Sequence, residues 1–199
     1  MKRGIVIFCL LLSSLMHSQS LPEINAVLGI PDSLEHLNEV RLYKSYSTTN
    51  ATDVFRMYLS KREGYKMEYY QYRHSVAGII ERPYFNKIDI APASDPEYIW
   101  MSIIASNILY LPQEEVFKYK QEIPNIVCED GRYAYSVTTM AVSDGTGYIV
   151  CIRDGNLTNV IEYSNPESYL RRYPKIDELD YFVQFINLIK NEFSIWADY

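Results

Sequence analysis

The chain has 199 residues, a formal net charge of −6, 19 tyrosines, 3 cysteines and 3 histidines. An acidic chain of this kind lacks the cationic surface that nucleic acid or an anionic membrane requires. With so few histidines and cysteines it offers few soft ligands for zinc, so neither a metal nor another cofactor is expected.

The N-terminus reads as a secretory signal. Met1-Lys2-Arg3 is a positive n-region, residues Gly4 to Leu12 are uncharged and apolar, and Ser18-Gln19-Ser20 is small and polar. The apolar run is too short to span a bilayer. Cleavage is expected before Gln19 or before Leu21. Cys9 lies inside the apolar run, where it serves as a small hydrophobe rather than as a lipidation site. Loss of Lys2 and Arg3 takes the net charge to about −8. Residues 21–199 then suit a single domain. Tyr98 to Leu111 is the longest later apolar stretch, and it falls short of the ~18 residues of a membrane helix. A periplasmic or secreted product without a transmembrane segment is therefore expected.

Three segments alternate with period two: Arg41 to Tyr46, Val54 to Leu59 and Tyr65 to Tyr72. Their β-branched and aromatic residues and the polar breaks between them predict a three-strand antiparallel meander. A short strand follows near Phe85 to Ile90. Ser94-Asp95-Pro96-Glu97 is a helix start, with a capping residue, Pro at the first turn and an acid behind it. That helix is expected to run to about Tyr110 and to be largely buried. A second meander is predicted from Tyr133 to Val142, Tyr148 to Arg153 and Thr158 to Tyr163. Asp144-Gly145 and Asp154-Gly155 serve as its turns. Ser164-Asn165-Pro166-Glu167 starts a short helix. The last helix, Ile176 to Phe193, is amphipathic, with Leu179, Phe182, Val183, Ile186, Ile189 and Phe193 on one stripe. The fold class is α+β: an antiparallel sheet from two meanders with the two main helices packed on one face.

The chemistry-bearing residues do not converge on a known motif. His36 and His74 are isolated and read as loop residues. Asp144-Gly145-Thr146-Gly147 interrupts the Asp-Thr-Gly order of an aspartic protease loop and reads as a turn. Asn50-Ala51-Thr52 and Asn156-Leu157-Thr158 also read as turns. Glu114-Glu115, Glu129-Asp130 and Asp177-Glu178 pair acids in sequence, but a two-acid mechanism needs both to face one cleft. With Asp144-Gly145 as a hairpin turn, Cys151 lies opposite Thr138. A Cys128–Cys151 disulfide and two buried thiols are both open. The tyrosines offer rigid amphipathic contact area. A binding face is expected on the first meander, around Tyr43, Tyr58, Tyr70 and Tyr72, for a protein, peptide or glycan ligand. The alternative is that the helices or the Ser75–Ala93 segment cover these rings. Tyr69 and Tyr70 are adjacent and point to opposite faces.

Several segments carry a resemblance: Glu39 to Lys44, Val54 to Tyr58, Ala105 to Pro112, Asp144 to Val150, Tyr163 to Leu170 and Tyr173 to Leu179. Together they resemble a group of secreted proteins of Gram-negative bacteria whose function is unknown. The resemblance implies a single exported domain and assigns no site residue. The reading favours a non-catalytic binding or interaction module of the cell envelope. A secreted hydrolase with a dispersed site and an immunity-type inhibitor of a toxin are the alternatives.

Overall fold

The computed structural model describes residues 21–139, 142 and 145–196. Residues 1–20, expected to be a signal, and Met140, Ala141, Ser143 and Asp144 of the expected second meander lie outside the described residues. Two compact units are distinguished, Met1–Ser33 and Leu34–Tyr199. In the first, helix α1 (Leu21–Leu28) ends at Gly29, whose φ is +69°. The Ile30 amide donates to the Asn25 carbonyl, and the Asn25 side chain donates to Asp32 at 3.1 Å.

The second unit is built on β1 (Asn38–Tyr46), β2 (Ala51–Ser60), β3 (Gly64–Arg73) and β4 (Tyr84–Ile88). Helix α2 (Pro96–Ala105) follows, then a short helix α3 (Glu114–Phe117) with a 3-10 turn, Lys118–Gln121. Strands β5 (Ile123–Glu129), β6 (Arg132–Thr138), β7 (Thr146–Asp154) and β8 (Leu157–Ser164) precede α4 (Pro166–Arg172) and α5 (Asp177–Phe193). Six strands form one antiparallel sheet in the order β4-β3-β2-β1-β7-β8. The α+β class holds, and the first meander gains β4 as a fourth strand. No described helix is long and apolar enough to cross a membrane.

The second meander is not formed as expected. Strand β6 pairs with β5 in a separate two-stranded sheet, while β7 pairs with β1 and β8. Cys151 therefore lies opposite Arg41 and Val160, not Thr138. The physical reason is long-range. Pairing of β1 with β2 leaves the other β1 edge open, and Tyr148, Val150 and Ile152 of β7 fit the buried interior beside it. The turn joining β5 and β6 is Asp130-Gly131, with φ of +51° and +73°, the two positive values that a type I′ turn requires. Both thiols are free, Cys128 exposed and Cys151 half-buried.

Core packing follows the strand register. Val40, Leu42, Phe55, Met57, Val150, Ile152 and Ile161 join one cluster with Ile99, Trp100 and Ile103 of α2 and Leu179, Phe182 and Ile186 of α5. Asp95 caps α2 by accepting from the Glu97 and Tyr98 amides at 2.9 and 3.3 Å. That helix stops five residues before Tyr110. Ser106 Oγ donates to the Ile103 carbonyl, and Asn107 turns left-handed at φ +60°. The turn brings Ile108, Leu109 and Leu111 back into the core. Gly145 has no side chain because Asn165 fills that space, where its Oδ1 accepts from the Thr146 amide at 2.7 Å.

The opposite face of β1–β3 is buried too, and it is charged. Glu39 is fully buried, with Arg41 and Arg56 almost so. Glu39 Oε1 accepts from Arg41 Nε at 2.8 Å and Arg56 Nε at 2.9 Å. Its Oε2 accepts from the Glu35 and His36 amides. Arg56 continues to Glu68 at 3.2 Å, and Lys87 of β4 closes the row on Glu68 at 2.8 Å. The Arg56 guanidinium also lies 4.2 Å from the centre of the Tyr58 ring, on which His36 stacks.

Burial alone pushes the Glu39 carboxyl up, but the His36 amide, Arg56 and Arg41 outweigh it and hold it below the usual range. Glu68 is likewise raised by burial and brought below its usual range by Lys87 and Arg56. These carboxylates stabilise the fold above about pH 4.5, and that contribution is lost as pH falls through their lower folded-state values. Glu39→Ala removes the carboxylate shared by two buried guanidinium groups and is expected to cost about 3–5 kcal/mol in denaturant unfolding. A loss under about 1 kcal/mol would contradict this role for the carboxylate.

Candidate functional site

The helix-side face of the sheet changes character row by row. Leu42, Phe55 and Tyr69 are register partners in the core. Two residues further along, the partners are Lys44, Asp53 and Gln71, and beyond them Ala51 faces Arg73. The apolar alternation of three strands is thus interrupted at the same level. This end of the sheet opens into a cleft of about 880 Å³. Its other walls are Ile88 to Ala91 at the end of β4 and Phe193 to Trp196 at the end of α5.

Asp53 is the pivot. It is buried, and its Oδ2 accepts from Tyr46 Oη at 2.8 Å and Tyr69 Oη at 2.9 Å. Its Oδ1 takes no part in either bond. Burial raises both hydroxyls above the ordinary tyrosine value, and the adjacent carboxylate raises them further. Both remain neutral donors across the physiological range. The Lys44 ammonium stands 5.2, 5.7 and 5.0 Å from the ring centres of Tyr46, Tyr148 and Trp196, an arrangement favoured by the negative faces of the rings. Trp196 Nε1 is buried, and the Tyr69 hydroxyl is the polar group it acts on. With Arg73 and Asp89 on the rim, the cleft presents both signs of charge beside aromatic surface.

The tyrosines expected to form a patch lie elsewhere. Tyr43, Tyr58, Tyr70 and Tyr72 do share one face of β1–β3, the face opposite the helices. Tyr43, Tyr70 and Tyr72 are buried and Tyr58 is half-buried, so they form no exposed patch. Tyr69 and Tyr70 are both buried because both faces of the meander are buried.

The other candidates are also accounted for. His74 Nε2 meets Thr52 Oγ1 at 3.0 Å, and neither histidine lines the cleft. Glu114 accepts from the Ser164 amide beside a second cavity of about 320 Å³, and Glu178 pairs with Lys120 at 2.6 Å. Glu129-Asp130 is the corner of the β5–β6 hairpin. Burial pushes the Cys151 thiol up, which keeps it protonated and unreactive. Among the described residues no three potential ligands cluster to hold a metal. The missed signal was the common level of Lys44, Asp53 and Gln71, which is visible only once the three strands are paired.

No family model, curated protein or solved structure matches the chain significantly.

The tyrosines set an alkaline limit. Their folded-state values lie above the ordinary 10, so their contribution is complete below pH 10 and is lost as pH rises through the folded values. Denaturant midpoints are expected to fall above pH 10, and less steeply in the double variant Tyr46→Phe/Tyr69→Phe. An unchanged alkaline slope in that variant would contradict the Asp53 arrangement.

Proposed function

We propose that the protein is an exported, non-catalytic binding module whose cleft holds a short peptide carrying both charges. One observation carries this reading: Lys44, Asp53 and Gln71 are aligned across three strands in the wall of a cleft of about 880 Å³. Pockets of this size take small ligands, and a few placed polar groups set the orientation. Arg73 suits a carboxylate of the ligand, while Asp89 and the Oδ1 side of Asp53 suit an ammonium group. The tyrosine hydroxyls beside Asp53 are held as neutral donors, which serves to hold a ligand rather than to remove its proton.

A peptide is preferred to a glycan. The Lys44 ammonium already lies over the Tyr46 and Trp196 rings, so the cleft offers paired charges rather than a bare stacking platform. Export rests on the composition of the first twenty residues.

Thermal unfolding with a panel of short charged peptides and neutral oligosaccharides tests the reading. A peptide present at a hundred times its Kd adds about 2.7 kcal/mol, or roughly 5–10 °C in Tm. Arg73→Ala is expected to abolish that shift while leaving the unliganded Tm close to wild type. A shift with oligosaccharides alone, or a peptide shift that survives Arg73→Ala, would overturn the assignment.

A further inference from the structure

The β5–β6 hairpin carries an apolar face on strands that pair only with each other. Its register sets Pro124 beside Val137, Ile126 beside Tyr135 and Cys128 beside Tyr133. Paired residues point to the same side of a sheet, so these six share one face. The other face mixes Ile123, Val127 and Ala134 with polar residues and the charged Glu129 and Arg132. Tyr133, Ile126 and Tyr135 are 82%, 73% and 72% exposed. Exposed two-stranded ribbons ordinarily carry polar side chains on such a face. Two tyrosines this open present roughly 300–400 Å² between them. The six residues together reach on the order of 500–600 Å², the upper end of what a monomer leaves bare.

We propose that this face docks a second copy of the chain, hairpin face on hairpin face, about a two-fold axis parallel to the strands. Three observations select this occupant. The first is shape. Each cross-strand pair sets one residue of a Tyr133-Tyr135-Val137 column beside one of a smaller Cys128-Ile126-Pro124 column. A two-fold along the strands lays each column over the other one of the partner, so Tyr135 covers Ile126 of the second copy and Tyr133 covers Cys128. The second is charge. A chain of net charge −6 repels its own copies, and a face of six uncharged residues adds no like-charge pair to that repulsion. The third is area. About 500–600 Å² per copy falls short of the roughly 800 Å² per partner of a standard stable interface, which fits a reversible dimer. Strand addition is a poorer use of the element. Pro124 removes a donor from β5, and pairing at the β6 edge leaves the apolar face bare. No residue of the hairpin lines the cleft, so this inference is independent of the ligand reading.

Sedimentation velocity across a hundredfold concentration series tests it on the full processed chain. The weight-average mass is expected to rise from monomer toward dimer. Tyr135→Glu is expected to weaken the dimer at least tenfold while leaving Tm near wild type, because the side chain is exposed. Cys128 supplies a second readout, since it is exposed on the same face whereas Cys151 is half-buried. A short bismaleimide is expected to trap a covalent dimer of the wild type and to trap none in Cys128→Ser or Tyr135→Glu. A wild-type chain that stays monomeric throughout, whether or not it binds lipid vesicles or added strand peptides, overturns the proposal. So does a dimer that Tyr135→Glu leaves as tight as before.

Discussion

Arg41 and Arg56 face one another across β1 and β2, an arrangement that like charges do not tolerate unless something stands between them. Glu39 stands there, one oxygen bound to both guanidinium groups and the other to two backbone amides of the preceding loop. Taking three ions out of water is costly, and the cost is met only when every partner is present with good geometry. The arrangement therefore acts as a register lock. A slip of one residue would turn Glu39 and Arg41 onto the helix side, among Phe55, Met57 and Ile99. Strand β1 is central, with β2 on one edge and β7 on the other, so fixing it fixes the order of the whole six-stranded sheet.

The cleft inherits its geometry from that lock. Lys44 and Asp53 are partners in the same β1–β2 register that sets Arg41 opposite Arg56. One face of β1 and β2 thus holds a closed charge network, while the other runs from apolar core to an open polar row. Asp53 is spent in part on two tyrosine hydroxyls, which hold it in position. Polar groups fixed in advance in this way are what the proposed ligand reading calls for.

Local structure was legible wherever the determinants were local. The alternation of Arg41 to Tyr72 marks three strands, Asp95-Pro96 marks a helix start, and the Leu179 to Phe193 stripe marks the helix that closes the core. What was hidden depends on pairing across distance. Strand β7 joins β1 more than a hundred residues away, and no residue near Tyr148 announces this. Pro124 and Asn125 disguise β5 as loop, so the Asp130-Gly131 turn went unread although it meets the requirement for positive φ. The sequence left the burial of Tyr43, Tyr70 and Tyr72 open for a related reason. Glu39, Arg41 and Arg56 alternate with apolar residues and read as a solvated face, whereas cross-strand charge pairing lets that face be buried. The cleft was invisible on the same ground, because Lys44, Asp53 and Gln71 are ordinary polar residues until register aligns them.

The charge state of Glu39 in the folded protein is the quantity on which this account turns. Carbon-detected NMR titration of its side-chain carboxyl reads it directly. The account predicts a midpoint below the ordinary value of 4.5, because two guanidinium groups and two amides favour the ionised form more than burial opposes it. A midpoint at or above 4.5 in the native state would mean that the carboxylate does not hold Arg41 and Arg56 together, and the register lock would have to be abandoned.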